Sequence, residues 1–251
     1  MPGRAHDYGT IGGMRGDPVA VDAVDQPLLV TPDEVLSAAR ALLELPGRAL
    51  LGLVGAPGAG KSHLAAWLCG RLGEEAVVLP MDGFHLAGVE LERLGRAGRK
   101  GAPDTFDAAG FVALVRRCRV SGAGSAGGGS AGAGSAGGGE TVYAPEFRRS
   151  IEEPIAGAIP IFPLARLVIV EGNYLLLNSL PWNQLHDLLD QIWFVDPPEE
   201  LRLSRLVERH VAFGKGAAAA REWALGPDQA NAELITSGRS RADVAVRLLV
   251  D

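Results

Sequence analysis

The segment GAPGAGKS, residues 55–62, has the residue types and the spacing of a phosphate-binding loop. Its glycines let backbone N–H groups turn toward phosphate oxygens, and the helix expected after it would direct its positive end at the same anion. Lys61 would place a point charge at the β- and γ-phosphates, and the Ser62 hydroxyl is a ligand that suits Mg²⁺. The candidate nucleotide-binding residues are Gly55, Ala56, Pro57, Gly58, Ala59, Gly60, Lys61, Ser62 and His63.

The sequence around this loop favours a nucleotide site over a glycine-rich turn without a ligand. The apolar run LLGLV precedes the loop, and SHLAAWLCGRL follows it with the composition of a helix. A strand, a glycine-rich loop and a helix in this order form the context in which the pattern binds phosphate. We therefore expect a purine triphosphate as ligand. The next question is whether water, a protein or a small molecule receives the phosphoryl group.

Two carboxylates stand at the ends of apolar runs that predict buried strands. Asp82 follows EAVVLP, and Glu171 ends ARLVIV. Open α/β sheets bind ligands outside the carboxyl ends of their strands, where a carboxylate can accept the proton of a hydroxyl or help to hold Mg²⁺. The alternative for Asp82 is an Asp-Gly turn. In the functional interpretation, Gly83 and Gly172 leave room for a ligand, and Ser62, Asp82 and Glu171 are the candidate metal ligands.

Two basic segments are each open to two interpretations. RLVERHVAFGKG places Arg202, Arg205 and Arg209 on one helical stripe, which is either a solvated face or a mobile lid that neutralises charge on the transferring phosphoryl group. RAGRKGAPDTFD, residues 96–107, has the composition of a surface loop. Its Arg99 and Lys100 are either solvated or face the substrate.

The elements that must position these residues alternate along the chain. Helices are predicted over TPDEVLSAARALLEL, with Thr31 as N-cap and Pro32 in the first turn, and over 61–72, DAAGFVALVRRCRV, 182–189 and 198–210. Strands are predicted at RALLGLVG, EAVVLP, ARLVIV, QIWFVD and ADVAVRLLV. This alternation predicts an α/β fold with a mostly parallel sheet covered by helices on both faces.

The chain of 251 residues is predicted to hold one such domain, residues 31–251. Residues 1–30 lack periodicity and are predicted to be a flexible tail. Residues 121–139 consist of Gly, Ala and Ser alone, so we interpret them as a flexible low-complexity insertion within the domain.

Composition excludes several classes of protein. The net charge of −6 argues against binding to duplex nucleic acid, and no apolar run has membrane-spanning length. Cys69 and Cys118 are too few for a disulfide framework or a zinc site, which favours a reducing, cytoplasmic location. The expected partner is a small-molecule substrate, and a homodimer is a candidate assembly.

Seven segments together resemble a known family. GAPGAGKS, MDGFHL, GRKGAPDTFDAAGFVALV, VYAPEFRRSIEEPI, VIVEGNYLLL, RLVERHVAFGK and GRSRADVAV occur in an order that resembles the P-loop small-molecule kinases related to uridine kinase and bacterial pantothenate kinase. The resemblance is strongest to the nucleoside/nucleotide kinase-like, or fructose transport system kinase, branch. It covers roughly residues 48–251 outside the Gly/Ala/Ser insertion.

The resemblance implies a five-stranded parallel sheet, ATP–Mg²⁺ as donor and a mobile lid. Its implied catalytic residues are Lys61, Asp82 as the base, and Arg205 and Arg209 of the lid. Tyr143 matches an aromatic residue near the acceptor, and either Arg148 or Arg149 matches a basic residue on the substrate side. The candidate substrate-binding residues are Asp82, His85, Arg99, Lys100, Phe106, Tyr143, Arg148, Arg149, Glu171, Asn173 and Tyr174.

Two departures bear on the acceptor. The histidine that uridine kinase-like enzymes carry soon after the VY tyrosine is missing, since APEFRRS stands there, and the pantothenate kinase lid sequence is not evident. We therefore expect phosphoryl transfer to a hydroxyl of a small polar metabolite, sugar- or nucleoside-like before pantothenate-like. The alternatives are an NTPase with water as acceptor and a nucleotide-binding regulatory module that has no acceptor.

Overall fold

A computed structural model describes residues 27–121 and 139–248 of the chain. In order, its helices and strands are β1 Leu28–Leu29, α1 Pro32–Leu43, β2 Ala49–Val54, α2 Lys61–Leu72, β3 Ala76–Pro80, α3 Gly88–Arg93, α4 Ala108–Val120, β4 Val142–Arg148, β5 Glu153–Ile161, β6 Leu167–Glu171, β7 Gln191–Val195, α5 Glu199–Ala212, α6 Ala217–Leu225, α7 Pro227–Thr236 and β8 Val244–Val246. None of the helices in these two ranges has the length and apolar character needed to cross a membrane.

The main sheet has the strand order β1-β8-β7-β2-β6-β3, and every neighbouring pair in it is parallel. The predicted α/β class with a parallel sheet is confirmed. The strand number is six instead of five, because Leu28 and Leu29 pair with Ala245 and Val246 at the edge. A two-residue strand is too short to show periodicity, so it was included in the predicted tail. Residues 1–26 of that tail lie outside the described residues.

Helices cover both faces of this sheet, as predicted. Along β2, Leu50 and Val54 point into one apolar cluster, which includes α4, while Leu51 and Leu53 point into another, which includes α1 and α2. Successive side chains of a strand point to opposite faces, so a strand buried on both faces has a continuous apolar sequence. The run ALLGLV has this character, and all six of its residues are buried.

Two helix starts predicted from the sequence are confirmed. Thr31 caps α1 and forms a capping box with Glu34, each side chain accepting from the other residue's backbone N–H. Asp107 caps α4 by accepting from the Gly110 N–H at 2.9 Å. Backbone hydrogen bonds from Leu86 N–H to the Thr105 carbonyl oxygen and from Asp107 N–H to the Phe84 carbonyl oxygen place the end of the loop 96–107, and with it the start of α4, beside the exit of β3.

Three segments differ from the sequence-based expectation. β4 and β5 form an antiparallel hairpin apart from the main sheet, in a region for which no strands were predicted. The helix predicted at 182–189 is only a short 3₁₀ turn, Trp182–Leu185, which buries both of its end residues. The Gly/Ala/Ser insertion lies largely outside the described residues, which exclude 122–138.

Candidate active site

The phosphate loop connects the end of β2 to the start of α2, in the predicted context. Gly58 and Gly60 have φ values of +81° and +93°, which disfavour residues with a side chain. A Cβ added to Gly58 would lie 2.6 Å from the Arg202 carbonyl oxygen, and one on Gly55 would lie 2.6 Å from the Val195 carbonyl oxygen. The glycines are therefore needed both for the curvature of the loop and for its close packing against neighbouring backbone.

Lys61 is buried at the first position of α2 and folds back over the loop. Its Nζ donates hydrogen bonds to the carbonyl oxygens of Gly55 at 2.8 Å and Ala56 at 3.2 Å. Burial lowers the pKa of Lys61, and the carboxylates of Glu171 and Asp82 oppose this shift. The first N–H groups of a helix have no partner within that helix. The loop therefore combines a buried cation and helix-end amides in a cradle suited to an anion.

The two carboxylates predicted at strand exits are neighbours. β3 and β6 pair in parallel with Pro80 opposite Glu171, so Asp82, in the turn after β3, emerges beside Glu171. Glu171 is 8% exposed. Burial raises the pKa of Glu171, and Lys61 is the main group that lowers it.

Asp82 has a different environment from Glu171. Its side chain is 39% exposed, and Arg149 Nη2 lies 3.7 Å from Asp82 Oδ2. Nδ1 of the neighbouring His85 ring lies 2.8 Å from the Asp82 carbonyl oxygen. Burial is the main cause that lowers the pKa of His85. Asp82 is thus the more accessible of the two strand-exit carboxylates to a ligand in the adjoining cavity.

Both glycines expected to make room for a ligand are instead closely packed. A Cβ on Gly83 would lie 2.2 Å from the Pro145 carbonyl oxygen, because the β4–β5 hairpin packs against this residue. A Cβ on Gly172 would lie 2.7 Å from Met81 Cβ. The prediction of ligand space at these positions was wrong, since backbone and a core side chain occupy it.

A cavity of about 460 Å³ opens between the phosphate loop, the hairpin and helices α5–α7. It brings together eleven of the predicted site residues: Pro57, Lys61, Ser62, Asp82, His85, Lys100, Phe106, Arg149, Glu171, Asn173 and Arg209. Burial lowers the pKa of Arg209, and the like charge of Arg149 lowers it further. The structure therefore gathers segments from distant parts of the chain around the two strand-exit acids.

Four predicted substrate-binding residues lie outside this cavity. Arg99 forms an ion pair with Asp104 at 2.5 Å, and Arg148 lies 3.7 Å from Glu146. The alternative between Arg148 and Arg149 is thereby decided in favour of Arg149 as the residue that lines the cavity.

The two tyrosines are placed outside the cavity for different reasons. The side chain of Tyr143 is 58% exposed on the outer face of β4. Tyr174 is fully buried, and its hydroxyl donates to the carbonyl oxygen of Gly101 at 2.5 Å, so it supports the wall from behind. Burial raises the pKa of Tyr174.

Several lining residues were not predicted from the sequence. The hairpin adds Phe147 and Glu152, and the segment from the last turn of α5 to α7 adds a further group: His210, Phe213, Lys215, Trp223, Asp228 and Asn231. The one feature of the sequence that pointed to this segment was RLVERHVAFGKG, interpreted as a solvated face or a mobile lid. Which side chains of α6 and α7 face the cavity depends on how these helices dock.

A second cavity of about 380 Å³ lies at the other end of the phosphate loop and is mainly apolar. Gly60, His63, Trp67 and Arg205 line it, together with residues that follow β7 and β8. A Cβ on Gly60 would lie 3.4 Å from Arg205 Nη1, so the guanidinium reaches the loop. His63 and Arg205 thus flank this cavity instead of the first one. An apolar cleft with a few polar groups suits a flat aromatic ring.

The residues available for a metal ion are few. Among the described residues, no group of three or more His, Cys, Asp or Glu side chains could hold one. Ser62, Glu171 and Asp82 nevertheless present oxygen donors beside the phosphate cradle. Mg²⁺ commonly binds through one or two carboxylates together with substrate phosphates, so these residues fit that ion.

The parallel sheet, the glycine loop with its buried lysine and the two strand-exit acids define a P-loop kinase. No protein-family model matches the chain. The chain is 35% identical over 200 residues to a protein named "Putative uridine kinase" from Schizosaccharomyces pombe, covering 76% of this chain and 78% of that protein. It is 36% identical over 165 residues to "ATP-dependent kinase-like protein notR'" from Aspergillus versicolor, covering 63% of this chain and 88% of that protein.

The chain is also similar to a solved structure of a kinase. The crystal structure of a "putative fructose transport system kinase" from Silicibacter sp. TM1040 superposes with a TM-score of 0.69 at 36% identity, covering 84% of this chain and 98% of that chain. The chain belongs to the family of uridine kinase-like, ATP-dependent P-loop kinases.

Proposed function

We propose that the protein transfers the γ-phosphoryl group of ATP to a hydroxyl of a small polar metabolite. One observation carries this proposal: the phosphate loop with its buried Lys61 and the acids Asp82 and Glu171 face a single cavity of about 460 Å³. A cavity of this size holds a metabolite, whereas an NTPase would need space only for water. The names of the related kinases support the same reaction class.

The donor nucleotide would lie along the phosphate loop between the two cavities. Its base would enter the apolar cavity beside His63 and Trp67, and its triphosphate would follow the loop past Arg205 to Lys61. Lys61 would exchange its bonds to the loop carbonyls for phosphate oxygens. Arg209 lies on the cavity side of α5, where it would neutralise charge that develops on the transferring group.

Mg²⁺ would be held by Ser62 and Glu171, with Asp82 as a further oxygen donor. When bound, the ion would neutralise charge on the β- and γ-phosphoryl oxygens. Ser62, at the second position of α2, and Glu171, at the end of β6, both line the cavity together with Lys61. Burial raises the pKa of Glu171, and the buried ammonium of Lys61 opposes this rise.

Asp82 is the proposed base. It is the more exposed of the two acids and borders the cavity, whereas Glu171 is buried at the end of β6. Its carboxylate would accept the proton of the acceptor hydroxyl as the oxygen attacks the γ-phosphorus. Arg149 Nη2 lies 3.7 Å from Asp82 Oδ2 at the edge of the same cavity.

The experiment is a measurement of ATP consumption with a panel of sugars, nucleosides and small hydroxy acids, with Lys61→Ala as the blank. We expect consumption that depends on an acceptor, and a large loss of that activity in Asp82→Asn. A uniform rate without any acceptor would instead support the NTPase. Full activity of Asp82→Asn would show that Asp82 is not the base. A cytoplasmic location and a homodimer stay predictions.

A further inference from the structure

All the lysines of this chain lie around one cavity. Of its 24 basic residues only three are lysines, Lys61, Lys100 and Lys215, and the rest are arginines. Lys61 belongs to the phosphate loop, while Lys100 and Lys215 come from two other segments and line the same cavity. Arginine serves the remaining cationic positions, so the lysines are confined to the place where a small ligand would bind.

Lys100 is held in place by the hairpin. Its Nζ lies 4.9 Å from the centroid of the Phe147 ring and donates to the Glu152 carbonyl oxygen at 2.5 Å. Glu152 has a φ of +55°, a left-handed conformation that is unusual outside glycine. The Glu152 carboxylate is 3.8 Å away and largely exposed, so it compensates the ammonium only weakly.

Lys215 is positioned by an aromatic face without an acidic partner. Its Nζ lies 4.4 Å from the centroid of the Trp223 ring, and in the described part of the chain no carboxylate approaches it within 4.0 Å. Gly214, with a φ of +93°, makes the turn that brings it to the cavity, and the Lys215 N–H donates to the His210 carbonyl oxygen. A lysine above a tryptophan face is fixed in position, and its charge is free to attract an anion.

These two lysines do not belong to the groups that would hold the triphosphate. Lys61, Arg205 and the amides of α2 already surround the loop, whereas Lys100 and Lys215 lie with the aromatic side chains of the hairpin and lid. Hydroxyl groups are bound well by amides and carboxylates, but an ammonium ion is selective for phosphate or carboxylate oxygens. Two ammonium ions in the acceptor part of the cavity would contribute little to the binding of a neutral sugar.

We infer that the acceptor carries an anionic group, a phosphate ester or a carboxylate, which Lys100 and Lys215 bind while its hydroxyl faces Asp82. This inference rests on the proposed function and narrows its substrate class. The reaction would leave a product with two anionic groups. The enzyme would therefore act on a metabolite that an earlier phosphorylation or oxidation has already charged.

The test compares acceptors that share their free hydroxyls and differ in charge: 5-deoxyribose with ribose 5-phosphate, 5′-deoxyuridine with uridine 5′-monophosphate, and glyceramide with glycerate. We expect kcat/KM to be at least roughly 10-fold higher for a charged member than for its neutral partner. The phosphate pairs and the carboxylate pair separate the two anions. Equal values within every pair would overturn the inference and leave the proposed kinase activity intact.

Variants locate the effect in the cavity. Lys100→Gln and Lys215→Gln are expected to raise KM for the charged acceptor by about 10-fold, to leave KM for ATP within about twofold, and to be largely rescued by arginine at the same position. Arg221→Gln is the matched control, since Arg221 is an exposed cation on the same helix as Trp223. An effect of Lys215→Gln on KM for ATP alone would refute the inference by assigning this lysine to the donor.

Failure of the kinase proposal gives a different result. If no acceptor raises ATP consumption above the Lys61→Ala blank, the proposed function is refuted, and the inference about the acceptor is refuted with it.

Discussion

Replacement of Gly83 by alanine tests how the β4–β5 hairpin shapes the site. The added Cβ would lie 2.2 Å from the Pro145 carbonyl oxygen and 2.6 Å from its carbonyl carbon. Such contacts need at least about 3 Å, and backbone cannot swing away as a long side chain can, so the hairpin would have to move by roughly 1 Å. The hairpin carries Phe147 and Arg149 to the cavity, and Arg149 would move away from Asp82.

Two measurable effects follow from this displacement. Overpacking of this kind costs about 1–3 kcal/mol, which urea unfolding would report as a lower free energy of unfolding. A displacement of about 1 Å of groups around a reaction centre costs on the order of 100-fold in rate, which kcat with the best acceptor of the panel would report. ATP binding should change little, because the phosphate loop is built from β2 and α2.

Gly70→Ala is the matched control. Gly70 lies inside α2, and nothing stands within 4 Å of a Cβ added there. This substitution is expected to leave kcat unchanged and to stabilise the protein by about 0.5–1 kcal/mol, because alanine favours the helix. If Gly83→Ala behaved like Gly70→Ala in both assays, the packing of the hairpin against the turn after β3 would be refuted.

Three further predictions concern the loop, the core and the response to pH. Lys61→Ala should lower acceptor-dependent ATP consumption by at least about 100-fold with an unchanged circular dichroism spectrum, and a smaller loss would contradict its role at the phosphates. Arg48→Met should lower the free energy of unfolding by about 3 kcal/mol, measured in urea, since the buried guanidinium donates to the carbonyl oxygens of Ala165, Cys118 and Phe162, which would lose their donors. Because burial lowers the pKa of His85 in the folded state, its contribution to stability is present above pH 6.5 and is lost as the pH falls through the folded value. Urea unfolding at several pH values below 7 should therefore show a weaker decline for His85→Gln than for the unchanged protein, and equal slopes would contradict this assignment.

The local features of the site follow from the sequence alone. The loop 55–62, the caps at Thr31 and Asp107 and the acids after β3 and β6 all depend on residue types within a few positions of one another. Glycine conformation, capping and the alternation of strands with helices are short-range properties, so a single sequence expresses them. The α/β class was predictable for that reason, whereas the kinase family was predicted from the resemblance of seven segments to known kinases.

The hairpin shows why the acceptor side was harder to predict. Before residue 145 the buried side chains of β4 are Val142 and Ala144, so Tyr143 points outward. The register shifts between Ala144 and Glu146, which exchanges the two faces of the strand, and Phe147 and Arg149 then face the cavity. A bulge of this kind breaks the period of two on which a choice between Arg148 and Arg149 would depend.

The sequence by itself determined the class of protein, the phosphate loop and the two acids, because local rules of backbone geometry and strand ends specify them. The tertiary structure alone decided which cations and aromatic side chains surround the acceptor, that Gly83 is a packing contact, and that β1 completes the sheet. These depend on how the hairpin, the edge strand and helices α5–α7 dock against distant segments. Such docking is set by long-range packing, which no local pattern records.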